Sequence, residues 1–170
     1  MGKNVFADNS TVFVKNGTTE FKVIGSTGDV WSNNAPINYL ETLSWSSGGV
    51  SPSTATAYGI THISMTGTDP STSPYTVTLG TPLPGVEKTI VLDSTAAWIN
   101  TIDIDLGATV GVDGSTTNRY IAFSTLGTAP QSVTLVGVSA TEWAVKSVNS
   151  TVGAWGLATG IRGAAAARTS

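Results

Sequence analysis

Cysteine is absent from this chain of 170 residues, which excludes disulfide bonds and thiolate metal sites. Charge is also scarce, because Asp, Glu, Lys and Arg together make up 11% of the residues, less than half of the usual ~25%. The eight Lys and Arg are scattered, and the pI is about 4.9. Phosphate binding requires a basic patch, so we expect no nucleic-acid partner. Stability must then come from packing, hydrogen bonding or oligomer formation.

Signals for export, membranes and nucleotides are lacking as well. The opening residues MGKNVFADNS contain no apolar signal core, and Phe6 stands where N-myristoylation requires Ser or Thr. No run approaches the ~18 apolar residues of a membrane-spanning helix. Glycines occur singly or as Gly48–Gly49, never in a phosphate-binding loop. We therefore expect no secretory signal, no membrane association and no cofactor.

Short runs of β-strand character do recur, about every ten residues, with Gly- and Pro-rich turns between them. This spacing predicts an all-β fold, either an antiparallel β-sandwich or a barrel-like domain. The clearest local signal lies near the N-terminus, where Val12–Lys15 and Glu20–Ile24 flank Asn16-Gly17. Asn-Gly readily takes the positive φ angles of a type I′ turn, so we predict a β-hairpin there.

Composition divides the chain into three segments. Residues 1–38 are predicted to form an N-terminal arm that carries this hairpin. Residues 39–155 hold most of the strand-like runs and are predicted to form the β-sandwich domain. Residues 156–170 end in GIRGAAAARTS and are predicted to be a flexible tail, because four alanines cannot nucleate a helix alone.

A second hairpin is predicted near the C-terminus, with strands Ser132–Val138 and Trp143–Val148. Trp143 is large enough to anchor a core. Apolar residues on both faces of the first strand indicate cover on both sides, by a second sheet or by another copy of the chain. Period-two alternation predicts which residues share a face: Val133 with Leu135, and Trp143 with Val145 and Ser147.

Other strands show the same alternation, and Glu87–Asp93 is apolar on both faces. The residues predicted to share an apolar face are Ile63 and Met65, then Tyr75, Val77 and Leu79, then Ile102, Ile104 and Leu106, then Ile121 and Phe123.

Acidic residues near the middle of the chain have three interpretations. Asp103 and Asp105 share one face of a strand, and Asp113 and Gly114 follow in a loop, so they could supply oxygen ligands to a hard cation. They could instead form a solvent-facing strand surface, since no EF-hand spacing is present. Paired carboxylates also serve glycoside hydrolysis, but nothing else in the sequence marks a sugar-cleaving cleft.

His62 is the sole histidine and would have to serve in any Ser-His-Asp triad. The G-x-S-x-G turn that presents a serine nucleophile in one large hydrolase class is missing. We therefore interpret His62 as a surface or interface histidine and expect the protein not to be an enzyme.

Five tryptophans remain to be assigned. Exposed aromatics stack on sugars, so a glycan-binding surface stays open, whereas tryptophan is also enriched in protein interfaces. We assign Trp143 to the core. The candidate interface residues are Trp31, Trp45, Trp98 and Trp155, of which Trp98 and Trp155 could also be core.

Three motifs follow one another between Thr81 and Val148: LPGVEKTIVLDS, NRYIAFSTLG and QSVTLVGVSATEWAVKSV. This block resembles small tailed-bacteriophage virion proteins, particularly capsid decoration (cement) and head-fibre proteins. The family's short strand patterns match at Lys88, Thr89, Ile90 and Leu92, more loosely at Ala122 and Phe123, and at Val133, Thr134, Leu135, Trp143 and Val145.

The resemblance implies a structural protein located on the virion capsid surface and assembled in the host cytoplasm. It implies a homo-oligomer, a trimer, whose partner is the major capsid protein and which bridges neighbouring capsid subunits. The alternative is a receptor- or glycan-binding module of a phage tail or head fibre.

Overall fold

A computed structural model describes residues 4–7, 11–16, 19–24, 30–32, 35–36, 39–45, 54–65, 75–93, 102–123, 130–150 and 161–165. Side chains are described within residues 39–44, 54–64, 75–93, 102–123, 130–150 and 161–165. Every regular element in these ranges is a β-strand, which confirms the all-β prediction. No helix in the described ranges has the length and apolarity that a membrane crossing needs.

The described strands are β1 (Asn4–Ala7), β2 (Thr11–Asn16), β3 (Thr19–Ile24), β4 (Val30–Ser32), β5 (Ala35–Pro36), β6 (Leu40–Trp45), β7 (Thr54–Ala55), β8 (Gly59–Met65), β9 (Tyr75–Leu79), β10 (Glu87–Leu92), β11 (Ile102–Asp105), β12 (Gly111–Val112), β13 (Tyr120–Phe123), β14 (Gln131–Ser139), β15 (Glu142–Asn149) and β16 (Ile161–Ala164).

The chain divides into two compact units, Met1–Leu40 and Glu41–Ser170. The first unit holds one five-stranded sheet in which β1 to β5 follow one another in chain order, each antiparallel to the next. Asn16 of β2 lies opposite Thr19 of β3. Pro36 lies in β5, an edge strand, where its missing N–H interrupts no ladder between two neighbours.

The second unit holds two sheets. The six-stranded sheet has the order β12-β15-β14-β10-β8-β6, and the second sheet has the order β16-β13-β11-β9-β7. From β7 to β13 consecutive strands alternate between these two sheets.

This alternation makes both sheets mixed, so the predicted antiparallel architecture was wrong in that respect. β8 and β10 run parallel, as do β7 with β9 and β9 with β11, because each chain segment visits the other sheet before it returns. Turn spacing shows where a strand ends. It does not show which sheet the next strand joins.

Apolar side chains from both sheets of the second unit belong to one core cluster. The predicted faces are confirmed there, apart from Met65, whose side chain lies outside the described part. The buried residues that were predicted from alternation are Ile63, Tyr75, Val77, Leu79, Ile102, Ile104, Leu106, Ile121, Phe123, Val133, Leu135 and Trp143.

The β14–β15 hairpin is confirmed as an antiparallel pair, with one correction. Thr134 lies opposite Ser147, whereas Leu135 lies opposite Val145, so Lys146 is an extra residue in a β-bulge. The bulge reverses the alternation beyond it. Ser147 therefore does not share the face of Trp143 as predicted.

The segment predicted as a flexible tail contains a strand. β16 pairs antiparallel with β13, and Phe123 lies opposite Ile161, which is fully buried. β16 is an edge strand of the second sheet, and its apolar first residue contributes to the core.

Candidate functional site

A buried lysine lies at one end of the core of the second unit. In β10 the sequence EKTIVL alternates, which places Lys88 on the same buried face as Ile90 and Leu92. The lysine side chain is 0% exposed. Because lysine is almost never fully buried without a partner, this position requires a compensating group.

Lys88 meets that requirement through three acceptors. Its Nζ donates to Oε1 of Glu41 at 3.0 Å, to Oγ1 of Thr56 at 3.1 Å and to the carbonyl oxygen of Tyr58 at 3.1 Å. An ammonium group has three protons, so its whole donor capacity is used. We refer to Glu41, Thr56, Tyr58, Thr61 and Lys88 as the Lys88 cluster.

Glu41 contributes one oxygen to four donors. Oε1 accepts from the backbone N–H of Thr56 at 2.8 Å, from the Thr56 hydroxyl at 2.9 Å, from the Thr61 hydroxyl and from Lys88. The Thr56 hydroxyl also lies 2.9 Å from the Tyr58 carbonyl, and its single proton serves one of these two acceptors. The Glu41 side chain is 13% exposed, so the cluster reaches the surface on the carboxylate side.

Burial controls the pKa of the lysine. Loss of water lowers the pKa of Lys88 below its ordinary value, and the hydrogen bond and charge of Glu41 oppose that change only in part. For Glu41, burial alone would raise the pKa. Hydrogen bonds from Thr61, Lys88 and Thr56, together with the lysine charge, outweigh burial and hold the pKa below its ordinary value.

The cluster connects separate parts of the fold. Glu41 lies in the edge strand β6, Thr56 and Tyr58 lie between β7 and β8, and Lys88 lies in β10. It therefore ties the edge of the six-stranded sheet to an inner strand. Sequence analysis placed Lys88 in a motif but did not predict its burial, although its phase with Ile90 and Leu92 was a usable signal.

The structure does not assemble the acidic residues into a cation site. Asp103 is fully buried, which contradicts a solvent-facing role, and Asp105 Oδ1 accepts the Gly107 N–H at 2.8 Å. Asp113 is exposed in a turn after β12, a strand of the other sheet. Within the described ranges no group of three acidic, His or Cys residues could hold a metal ion.

His62 lies on the outer face of β8, as predicted for a surface histidine. Its Nε2 is 2.8 Å from Oδ2 of Asp93, and the two side chains are 34% and 39% exposed. Among the described residues no serine hydroxyl contacts the histidine, so the structure adds no nucleophile to this pair.

The structure does not describe the side chains of the four tryptophans that were predicted to lie at an interface. Trp31 lies in β4 and Trp45 ends β6, but their side chains lie outside the described part. Trp98 and Trp155 lie outside the described residues altogether. Their assignment stays a prediction.

The outer face of the six-stranded sheet carries hydroxyl and apolar groups with few charges. Thr89 and Thr134 lie opposite each other with their hydroxyls 3.0 Å apart, and Ile60 lies beside Thr89. Ile60 is 43% exposed and Val138 is 55% exposed. This face therefore combines exposed apolar residues with hydroxyl groups.

A small pocket of about 100 Å³ lies beside the β12 strand. Glu142 Oε1 accepts the Gly114 N–H there at 2.9 Å. The lining consists of glycines, hydroxyl side chains and this one carboxylate: Thr109, Gly111, Gly114, Ser115, Thr116, Thr141 and Glu142.

Comparison with known proteins shows no family for this chain. No family model, no curated protein and no solved structure matches the chain.

Proposed function

We propose that this chain is a structural phage virion protein that decorates and stabilises the assembled capsid by bridging major capsid protein subunits. In this proposal the second unit is a β-sandwich that associates as a trimer, and the N-terminal hairpin belongs to the part that contacts the capsid. The protein is not an enzyme, and it is located on the capsid surface. The single observation that carries the proposal is the sparsely charged outer face of the six-stranded sheet.

That face favours association with protein. Its central row contains the hydroxyl pair Thr89 and Thr134, flanked by the exposed Ile60. On this face Glu87 forms an ion pair with Lys146, and Nε2 of His62 lies 2.8 Å from Oδ2 of Asp93. A surface of this kind is covered at low desolvation cost, because few isolated charges lose water.

The division into two compact units also supports the proposal. A separate N-terminal sheet, Met1–Leu40, provides a second surface that can serve a different partner from the body. A bridging protein needs at least two such surfaces. If it binds only the assembled shell, it stabilises that shell by mass action.

Cryo-electron microscopy of particles that contain the protein tests the proposal. We expect density on the capsid surface between neighbouring capsid subunits. Density confined to a tail tip would contradict it. In parallel, sedimentation at micromolar concentration should show a trimer, and Ile60→Glu should weaken the trimer whereas Ala108→Glu, in an exposed turn, should not.

The rival proposal, a receptor- or glycan-binding module of a tail or head fibre, is favoured by the pocket beside β12. Its hydroxyls and the Glu142 carboxylate are groups that bond sugar hydroxyls. Titration with host surface glycans tests it. Binding that is lost in Glu142→Ala and kept in Lys146→Ala would establish the rival.

A further inference from the structure

The Lys88 cluster places an amine and a carboxyl group in direct contact inside the protein. Lys88 Nζ lies 3.0 Å from Glu41 Oε1, so it is a hydrogen bond away from the carboxyl group. The carbon that would react, Cδ, is bonded to that oxygen, so the fold already holds the amine against the carboxyl group and no diffusion is needed to bring them together. The lysine side chain is completely buried, so water does not compete for its nitrogen.

We propose that Lys88 and Glu41 condense to form an intramolecular amide bond that covalently joins β10 to the edge strand β6. The proposal is independent of the proposed function, because it concerns the chemistry of the second unit alone. A chain without cysteine would in this way obtain a covalent cross-link that needs no oxidant.

The step balances without any other reactant. Lys88 Nζ attacks Cδ of Glu41, a C–N bond forms and the bond from Cδ to Oε2 breaks. Of the three ammonium protons, two leave with Oε2 as water and the third stays on the amide nitrogen. No electron is exchanged, so neither oxidant nor reductant is required.

The cluster supplies hydrogen-bond donors at the oxygen that becomes negative in such a step. The Thr56 N–H, the Thr56 hydroxyl and the Thr61 hydroxyl converge on Oε1, the oxygen that gains negative charge when nitrogen adds to the carboxyl carbon. The other oxygen, Oε2, accepts no hydrogen bond from the described residues and is the one that leaves. Because the Glu41 side chain is 13% exposed, the water formed has a path to solvent.

Electrostatics favours the product over the ion pair. Two opposite charges held out of water carry a desolvation penalty, and condensation replaces them with one neutral amide. The reactive form is the neutral pair, in which Lys88 has lost one proton and Oε2 of Glu41, the oxygen that leaves, carries one through exchange with solvent on the exposed carboxylate side. Burial lowers the pKa of Lys88 and so favours its neutral amine, whereas the hydrogen bonds to Glu41 keep the carboxyl mostly ionised. We therefore expect a slow reaction that follows folding.

Intact mass spectrometry of the full chain, folded, incubated for days and then denatured, tests the proposal. We expect the mass to fall by one water, and proteolysis to release a branched peptide that contains both Glu41 and Lys88. The Glu41→Ala variant should show the mass calculated from its own sequence, with no loss of water. A folded wild-type chain that keeps its full mass would overturn the proposal and leave an ion pair.

Two features of the chain serve as internal controls. Asp113-Gly114 can also lose water, by closing to a succinimide, but that product stays within one peptide. Lys146 and Glu87 form an ion pair in the same sheet at 53% exposure each, where the amine stays in contact with water. Water loss that maps to Asp113, or a branched peptide that joins Lys146 to Glu87 as readily as Lys88 to Glu41, would also overturn the proposal.

Discussion

The β14–β15 hairpin and the Lys88 cluster fill the interior of the second unit in opposite ways. The hairpin buries Val133, Leu135 and Trp143, which are held by contact alone. The cluster buries Lys88 among oxygen atoms, each at a fixed hydrogen-bond distance. An apolar region loses stability in proportion to the volume removed, whereas a polar region depends on every partner being present. We therefore expect the hairpin to tolerate small changes in side-chain volume, and the Lys88 cluster not to tolerate the loss of a partner.

The largest effect is expected from Trp143→Ala in the apolar region. Trp143 is 0% exposed, so its removal should lower the free energy of unfolding by about 3–5 kcal/mol, the range for buried large aromatics. Chemical denaturation measures this change directly.

Val138→Ala is the matched control in the same hairpin. Val138 is 55% exposed, and surface substitutions usually change stability by less than about 0.5 kcal/mol. Equal losses in the two variants would show that Trp143 contributes to stability no more than a surface residue does.

In the polar region, Glu41→Ala should cost about 3 kcal/mol relative to freshly folded wild type, in which no amide has yet formed, because it leaves Lys88 buried without a carboxylate. The double variant Glu41→Leu with Lys88→Met should recover part of that loss, since neither charged group then remains, whereas the Thr56 N–H and the Thr61 hydroxyl still lack their acceptor. No comparable rescue is expected for Trp143→Ala from a second substitution. Denaturation of the single and double variants checks this contrast, and a double variant as unstable as the single one would contradict it.

These two regions also show which features of the fold the sequence predicts and which it does not. Alternation predicted the inner faces of β9, β11, β13 and β14 because an apolar residue at every second position has one strong interpretation. Alternation did not predict the burial of Lys88. A charged side chain in phase with Ile90 and Leu92 becomes buried only if residues distant in the sequence supply hydrogen-bond acceptors. Glu41 and Thr56 are 47 and 32 positions away. The parallel strand pairs were missed for a similar reason, because pairing between strands that are not consecutive leaves no local pattern.

Asp103 and the bulge at Lys146 are two further features that the local pattern did not predict. Asp103 alternates correctly with Ile102 and Ile104, yet its face is also covered, so period two identified the face but not its exposure. One inserted residue at Lys146 shifted Ser147 to the other face. Both errors come from tertiary contacts that act on an otherwise correct local prediction.

A smaller loss of stability is expected from a substitution at Gly137, where β14 meets the turn before β10. A Cβ on Gly137 would lie 2.3 Å from the carbonyl oxygen of Leu83, and Gly137 exchanges backbone hydrogen bonds with Gly85 and Val86. Gly137→Ala should therefore destabilise the protein by about 1–3 kcal/mol through overpacking. Thermal unfolding measures it, with Val138→Ala as the neighbouring control. A stability equal to wild type would mean that the turn shifts away freely.

The smallest effect should come from the exposed ion pair, which has the same residue types as the Lys88 cluster without its burial. Glu87 and Lys146 are each 53% exposed, so water replaces either partner when the other is removed. A double-mutant cycle of Glu87→Ala and Lys146→Ala should give a coupling of about 0.2–1 kcal/mol that fades as salt is added. In freshly folded protein, before an amide forms, the equivalent cycle of Glu41→Ala and Lys88→Ala should give a larger coupling that salt barely changes, because a buried pair is screened much less. If both couplings decline equally with salt, burial does not distinguish the two pairs, and the contrast between the regions fails.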